Sequence, residues 1–292
     1  MLPVLLAAIM GLVLDSREVG GAPVWLKPAK FAVSIAVYSF TLAWIYTLLP
    51  RFGKTGRTVA WMTAVAMVVE MGIITVQAWR GTTSHFNVGT GADTAMFAAM
   101  GGTIVTQTVA SVWIAVALWR ERFADASLGM ALRVGMTVTI IGASTGGLMT
   151  APTAEQLANA HGGARLTVVG AHTVGAPDGS PGLPGTGWSS GHGDLRVPHF
   201  VGLHGVQVLP LLALWLRRRR VGEGARVRLM ATSSVSYFAL FVLLLVEAYR
   251  GQSVVGPDAA TLALFFVWGV ATVVFGWVSV ARGSHSMAGA TV

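Results

Sequence analysis

The chain has 292 residues, of which 54% are hydrophobic and only 11% charged, against about 25% charged in an average soluble domain. That composition belongs to an integral membrane protein. Basic residues outnumber acidic ones by 20 to 12, yet nucleic-acid binding is excluded as the reason, because they lie in short loops between apolar runs with no soluble basic face. The absence of cysteine excludes disulfides, cysteine-ligated clusters and thiolate nucleophiles.

In chain order, Leu2 to Leu14 is an apolar run shorter than the roughly 20 residues a comfortable span requires. It has neither a basic leader nor a small-residue cleavage site before Asp15, which argues against a signal peptide, so a short first span is expected. Seven further apolar runs follow: Phe31 to Leu49, Thr58 to Trp79, Thr94 to Trp119, Leu128 to Thr150, Pro198 to Leu216, Leu229 to Tyr249 and Ala259 to Ala281. The expected fold is all-α, a polytopic transmembrane bundle of about eight spans in one integral membrane domain over residues 1–292.

The loop charges predict orientation. Arg51, Lys54, Arg57, Arg120, Arg122, Arg133, Arg217, Arg218, Arg219, Arg220, Arg226, Arg228 and Arg282 share one side, which the positive-inside rule makes cytoplasmic. Arg17, Lys27, Lys30, Arg80, Arg165, Arg196 and Arg250 fall on the other side, nearly matched by Asp15, Glu18, Asp93, Glu155, Asp178, Asp194, Glu247 and Asp258. A bacterial inner membrane with both termini cytoplasmic is the expected location, with the bilayer as the first partner. Residues 151–197 form one long extracytoplasmic loop. Its Gly, Pro and Ser content fits a linker, while His161, His172, Trp188 and His192 fit an ordered cap. Both readings stand for Thr153 to Gly163, and a cap is expected over Gly170 to Val197.

Two halves, 1–122 and 128–282, look duplicated. Gln77-Ala78-Trp79-Arg80-Gly81 closes one span and Glu247-Ala248-Tyr249-Arg250-Gly251 closes the span four helices later. Each precedes an acid, Asp93 or Asp258, that opens the next helix. Pro28-Ala29-Lys30-Phe31 and Pro198-His199-Phe200 open the corresponding earlier spans, setting Lys30 against His199. An even offset keeps orientation, so the repeats would be parallel.

Polar chemistry concentrates from Gly193 to Pro210, where Asp194 and Arg196 precede a helix-opening Pro198 and then His199, His204 and Gln207 enter an apolar segment. Polar groups at such depth mark sites by default. The run Gly-Asp-Leu-Arg-Val-Pro-His-Phe-Val-Gly-Leu-His at 193 to 204, Ala-His-Thr-Val-Gly at 171 to 175, Arg-Gly-Thr-Thr-Ser-His-Phe-Asn at 80 to 87 and Trp-Leu-Lys-Pro-Ala-Lys-Phe at 25 to 31 together resemble a family of uncharacterised bacterial multi-pass membrane proteins. The resemblance covers most of the chain and implies a multi-pass fold, but no activity.

His199 and His204 are five apart, about 140° round a helix and about 7.5 Å along it, so they cannot chelate one ion from a regular helix. A metal or haem site would recruit His85 and His172 to them. His204 and Gln207 share a face, and Gly202 and Gly205 let a helix or flat ligand approach. Three roles are open for His204: a buried helix-pairing imidazole, a ligand to haem or a transition metal serving a redox partner, or a proton relay in a transporter. Glu70 is the only acid near the middle of a span, with no basic residue at its depth. It is expected neutral and protonated, either merely hydrogen-bonded or carrying protons. Arg80 and Arg196, each close to a histidine, are candidates with Asp194, Lys30 and Gln207 to bind a small anionic solute. A phosphate-binding loop, a zincin motif, a nucleophile elbow and a covalent haem motif are all missing. Three functions result: a metal- or haem-bearing redox protein, a proton-coupled transporter of a small anion, or a structural subunit.

Overall fold

The computed structural model describes residues 1–219 and 221–288, with side chains for all of these except Phe52 and 282–288. Arg220 and the side chains of Arg282 and His285 therefore lie outside the described residues. In chain order the helices are α1 (Leu2–Leu14), α2 (Leu26–Thr47), α3 (Gly53–Trp79), α4 (Gly91–Arg120), α5 (Ala126–Met149), α6 (Ala154–His161), α7 (Arg196–Leu203), α8 (Gly205–Arg218), α9 (Glu223–Tyr249) and α10 (Ala259–Ala288). Among the described residues six helices are long and apolar enough to cross a membrane, namely α2, α3, α4, α5, α9 and α10, and the bent pair α7 and α8 passes the same test together. Such a set fits a multi-pass membrane protein. The 13 residues of α1 rise about 20 Å, short of a hydrocarbon core of about 30 Å.

The chain divides into two compact units, Met1–Trp113 with Gly147–Ser190, and Ile114–Gly146 with Gly191–Val292. The division does not follow the halves 1–122 and 128–282. The first unit keeps most of the long loop.

In the first unit, a hairpin of β1 (Glu18–Val19) and β2 (Ala22–Pro23) joins α1 to α2. The Trp25 indole lies over α1 at Gly11, where any side chain would collide with the ring. Ala32 and Ile35 of α2, Met71 and Ile74 of α3 and Met100 of α4 form its buried core. Thr153 to Gly163 is ordered as helix: Thr153 and Gln156 make a reciprocal capping box that starts α6, which satisfies two end donors at once.

In the second unit, the apolar run from Pro198 breaks at His204, where α7 and α8 meet at 45°. Local sequence explains why a break is tolerated. Gly202 and Gly205 flank it, and farther along Pro210 leaves the Val206 carbonyl without its helical donor. Thr139 of α5 bridges the break itself: its hydroxyl donates to the Leu203 carbonyl (3.1 Å) and accepts from the Val206 amide (3.0 Å). Gly142 and Gly202 meet so closely that a Cβ on either would lie 2.5 Å from the other's Cα, and one on Gly135 would lie 2.7 Å from the Gly205 carbonyl oxygen. The glycines of the motif thus serve a helix crossing, one of the two roles the sequence left open. Ala131, Leu209, Ala213, Leu216 and Met230 fill the core alongside. Trp268 donates to the Ser236 carbonyl and Ser236 bonds Thr272, forming a polar seam between α9 and α10.

Candidate functional site

The first unit gathers its titratable groups around the loop that follows α3. That helix ends at Trp79 with Gly81 in the left-handed region at φ 70°, and the amides of Gly81 and Thr82 turn back to the carbonyls of Ala78 and Gln77. Such an ending suits glycine because no Cβ opposes it. Arg80, although exposed, bonds Asp93 at 2.6 Å and the Gln77 side chain, while Thr90 bonds the second Asp93 oxygen. Its guanidinium is committed to the start of α4.

The loop then folds inward. Asn87 donates to Thr82 and to the Thr83 carbonyl and accepts from the Gly89 amide, and backbone bonds join Phe86 and Val88 to Val169 and Thr167. Between these ties Phe86 is buried at φ 64°, a left-handed conformation that costs a residue with a Cβ about 1–2 kcal/mol. Held strain of this kind is common beside functional sites.

The folded loop lowers His85 to α3. Lys27 Nζ donates to His85 Nδ1 at 2.8 Å, the Ser84 hydroxyl lies 3.1 Å from the same nitrogen, and His85 Nε2 stands 3.6 Å from Glu70 Oε1. An ammonium only donates, so Nδ1 is the acceptor and the imidazole proton sits on Nε2, toward Glu70. Thr103 of α4 donates to the other Glu70 oxygen at 3.0 Å. Glu70 is 3% exposed, and its Oε1 has no hydrogen-bond partner, with this imidazole facing it at 3.6 Å. The expectation that no basic residue reaches its depth is overturned, because a residue beyond the helix end returns along the helix.

His172 packs its ring edge against Phe86, 4.9 Å between centroids, and bonds Asp178 through Nδ1 at 2.7 Å. Burial alone would raise the Asp178 carboxyl, but His172 and the backbone amides of His172 and Thr173 together hold it well below the usual carboxylate range. Lys30 donates to the Thr186 carbonyl at 2.8 Å, tying α2 to the long loop.

The second unit treats its expected site residues differently. His204 is exposed at the helix break, and no side chain among the described residues bonds its ring. It is neither a buried helix-pairing imidazole nor aligned with Gln207 on one regular helix. His199 Nδ1 lies 2.8 Å from the Gly142 carbonyl, with its ring against Gly146. The Gln207 amide, turned so that nitrogen faces backbone, donates to the His204 and Leu203 carbonyls at 3.3 Å. Arg196 grips Asp194 through Nε at 2.9 Å and Nη2 at 2.6 Å.

The four histidines expected to share a metal or haem divide accordingly, His85 and His172 in the first unit and His199 and His204 in the second. Among the described residues no three of His, Asp or Glu stand close enough to hold a metal ion. Thr103 carried no sequence signal, and Phe86 and Lys27 lay inside quoted motifs without a role of their own. Asp178 was visible only as one charge among the fifteen assigned to the outer side. No family model, curated protein or solved structure matches this chain.

Proposed function

We propose that this protein is a proton-coupled membrane transporter in which Lys27, His85 and Glu70 move protons between one membrane face and the interior of the first unit. The observation that carries the reading is a buried carboxyl facing His85 Nε2 while Lys27 donates to the opposite ring nitrogen. Ionisable groups buried in a span usually serve ion or proton movement. In the step, the Lys27 ammonium gives a proton to His85 Nδ1 as the Nε2 proton passes to the Glu70 carboxylate. A neutral amine, a neutral imidazole of the other tautomer and a carboxylic acid remain.

The arginine distribution supports an orientation with the relay's loop end on the extracytoplasmic face of a bacterial inner membrane and both termini cytoplasmic. Arg80 and Arg196, bound to their own acids, leave the solute to other groups. We also read the halves 1–122 and 128–282 as descendants of one duplicated bundle. Matched helix ends and matched Asp-x-Arg turns support that reading.

The test uses the full chain in proteoliposomes of bacterial lipid. Infrared difference spectra after an external acid jump are expected to show a carboxylic-acid C=O band that Glu70→Gln removes, with proton uptake, followed by an entrapped pH dye, lost in the same variant. An unchanged band in Glu70→Gln liposomes, or no band in the wild type, sinks the relay.

A further inference from the structure

The first unit carries a recess between α3 and α4. Ala66 of α3 with Thr103 and Thr106 of α4 are short side chains, and the hollow beside them, about 390 Å³, is rimmed by Trp61, Met62 and Val65. Trp61 is 68% and Val65 58% exposed, so in a bilayer the hollow opens sideways into hydrocarbon, and what fits its apolar wall is an acyl chain.

Two ridges of α3 run along this hollow, and each begins with a cation. Positions four apart share a helix face, so Lys54, Thr58, Met62 and Ala66 form one ridge and Arg57, Trp61 and Val65 the other. Lys54 and Arg57 are exposed, and among the described residues neither stands in an ion pair. From Thr58 to Ala66 the helix rises about 12 Å, within the roughly 15 Å that one leaflet gives to a hydrocarbon core of about 30 Å. The two cations therefore stand at headgroup level when the hollow lies among the acyl chains.

We propose that this hollow is the seat of one anionic phospholipid, with an acyl chain lying between α3 and α4 and the phosphate held by Lys54 and Arg57. In the orientation proposed above, the lipid belongs to the cytoplasmic leaflet. The seat is separate from the Lys27, His85 and Glu70 cluster and does not depend on the transport reading. It shares one residue with that cluster, because Thr103 lines the hollow and also donates to Glu70 at 3.0 Å. A seated chain covers Thr103 from the lipid side and keeps mobile lipid away from the bond to the carboxyl. A zwitterionic lipid with the same chains fits the apolar wall equally well, but its own headgroup cation offsets the attraction of Lys54 and Arg57. Charge therefore makes the choice of lipid, and the hollow makes the contact.

Native mass spectrometry of the full chain, released from a mild detergent, tests the seat by titration with palmitoyl-oleoyl phosphatidylglycerol or with the phosphatidylcholine of the same chains. Each basic residue beside an anionic lipid contributes about fivefold in affinity, so the first phosphatidylglycerol is expected to bind about tenfold or more tighter than the first phosphatidylcholine. Lys54→Gln combined with Arg57→Gln is expected to abolish that preference, and Lys54→Arg combined with Arg57→Lys to keep it. Val65→Trp fills the hollow and is expected to weaken the first binding step of both lipids. Val68→Trp, at a position that is 62% exposed and outside the lining, is expected to weaken neither. Thr106→Leu fills the same hollow from α4 and gives a second reading if Val65→Trp disturbs the fold. Equal affinity of the wild type for the two lipids overturns the proposal. So does a preference that survives the loss of Lys54 and Arg57 but disappears in Arg217→Gln with Arg218→Gln, which are exposed cations at the end of α8. Unchanged binding of both lipids in the two filled variants reduces Lys54 and Arg57 to a charged surface without a seat, and also overturns it.

Discussion

Trp79 and Tyr249 end their helices on the same backbone. In one unit Gly81 at φ 70° lets Thr82 reach the Gln77 carbonyl, and in the other Gly251 at φ 72° lets Gln252 reach the Glu247 carbonyl. Arg80 then binds Asp93 and Arg250 binds Asp258, both at 2.6 Å. Asp15 and Arg17 close the same two-point grip as Asp194 and Arg196, with Nε contacts of 2.9 Å in each. The interiors diverge. The register that carries Gln77 onto Glu247 also carries Pro28 onto Pro198, and it sets Val197 against Lys27, Leu240 against Glu70 and Ala29, rather than Lys30, against His199. Corners are alike where the backbone needs them, while the position matched to Glu70 is an apolar Leu240.

The comparison breaks most sharply at the glycines. Gly142→Val in the second unit has no room beside Gly202 and is expected to cost about 3 kcal/mol or more, read as a large drop in melting temperature in detergent. Gly101→Ala, inside α4 of the first unit, meets nothing within 4 Å and should raise melting slightly, by the helix preference of alanine over glycine. Next come the two grips. Asp194 is 3% exposed, so Asp194→Asn leaves Arg196 without its buried counterion at a cost of about 3 kcal/mol. Asp15→Asn acts on a surface pair whose arginine is 48% exposed, and a much smaller change is expected, shrinking further in salt. Equal effects would show that burial does not distinguish the grips. Thr139→Val should cost about 2 kcal/mol by orphaning both backbone groups it serves, and Thr139→Ser should recover most of it.

Much of this was legible in the chain. Apolar runs located the helices, and the Arg-Gly pairs marked where α3 and α9 stop. The break at His204 was not legible, since it depends on Thr139 of another helix supplying the missing partners. Nor was the site. Histidines crowded in sequence between 192 and 204 suggested a centre, but the fold leaves His204 exposed and bonds His199 to backbone. The cluster that the fold assembles instead joins Lys27, Glu70, His85 and Thr103, from three helices and a loop. Glu70 lies nine positions before Trp79, about 13 Å down the helix, and depth counted along the helix misses a loop that folds back over it. Strain at Phe86 and the Asn87 ties make that return, and although both residues lie in the 80–87 motif, nothing in it shows that the loop folds back.

The smallest expected effect concerns the acid range at the two matched corners. The Asp258 carboxyl is held at about 2 by the Thr261 amide, with further bonds from the Thr261 hydroxyl, Gln252 and Arg250. An unfolded aspartate titrates near 3.9. Since the folded value is the lower one, the stabilisation is fully present above about pH 4 and is lost as pH falls toward about 2. The turn between α9 and α10 should therefore loosen in that window. Pepsin, active there, is expected to cut between Arg250 and Asp258 progressively faster from pH 4 to pH 2, relative to an unstructured reference peptide. Asp258→Asn, which cannot titrate, should be cut at a relative rate independent of pH. A wild-type rate equally flat would mean that the turn is held by its backbone alone, with Gly251 and the Glu247 carbonyl sufficient and the arginine–aspartate pair an ornament of the corner in both units.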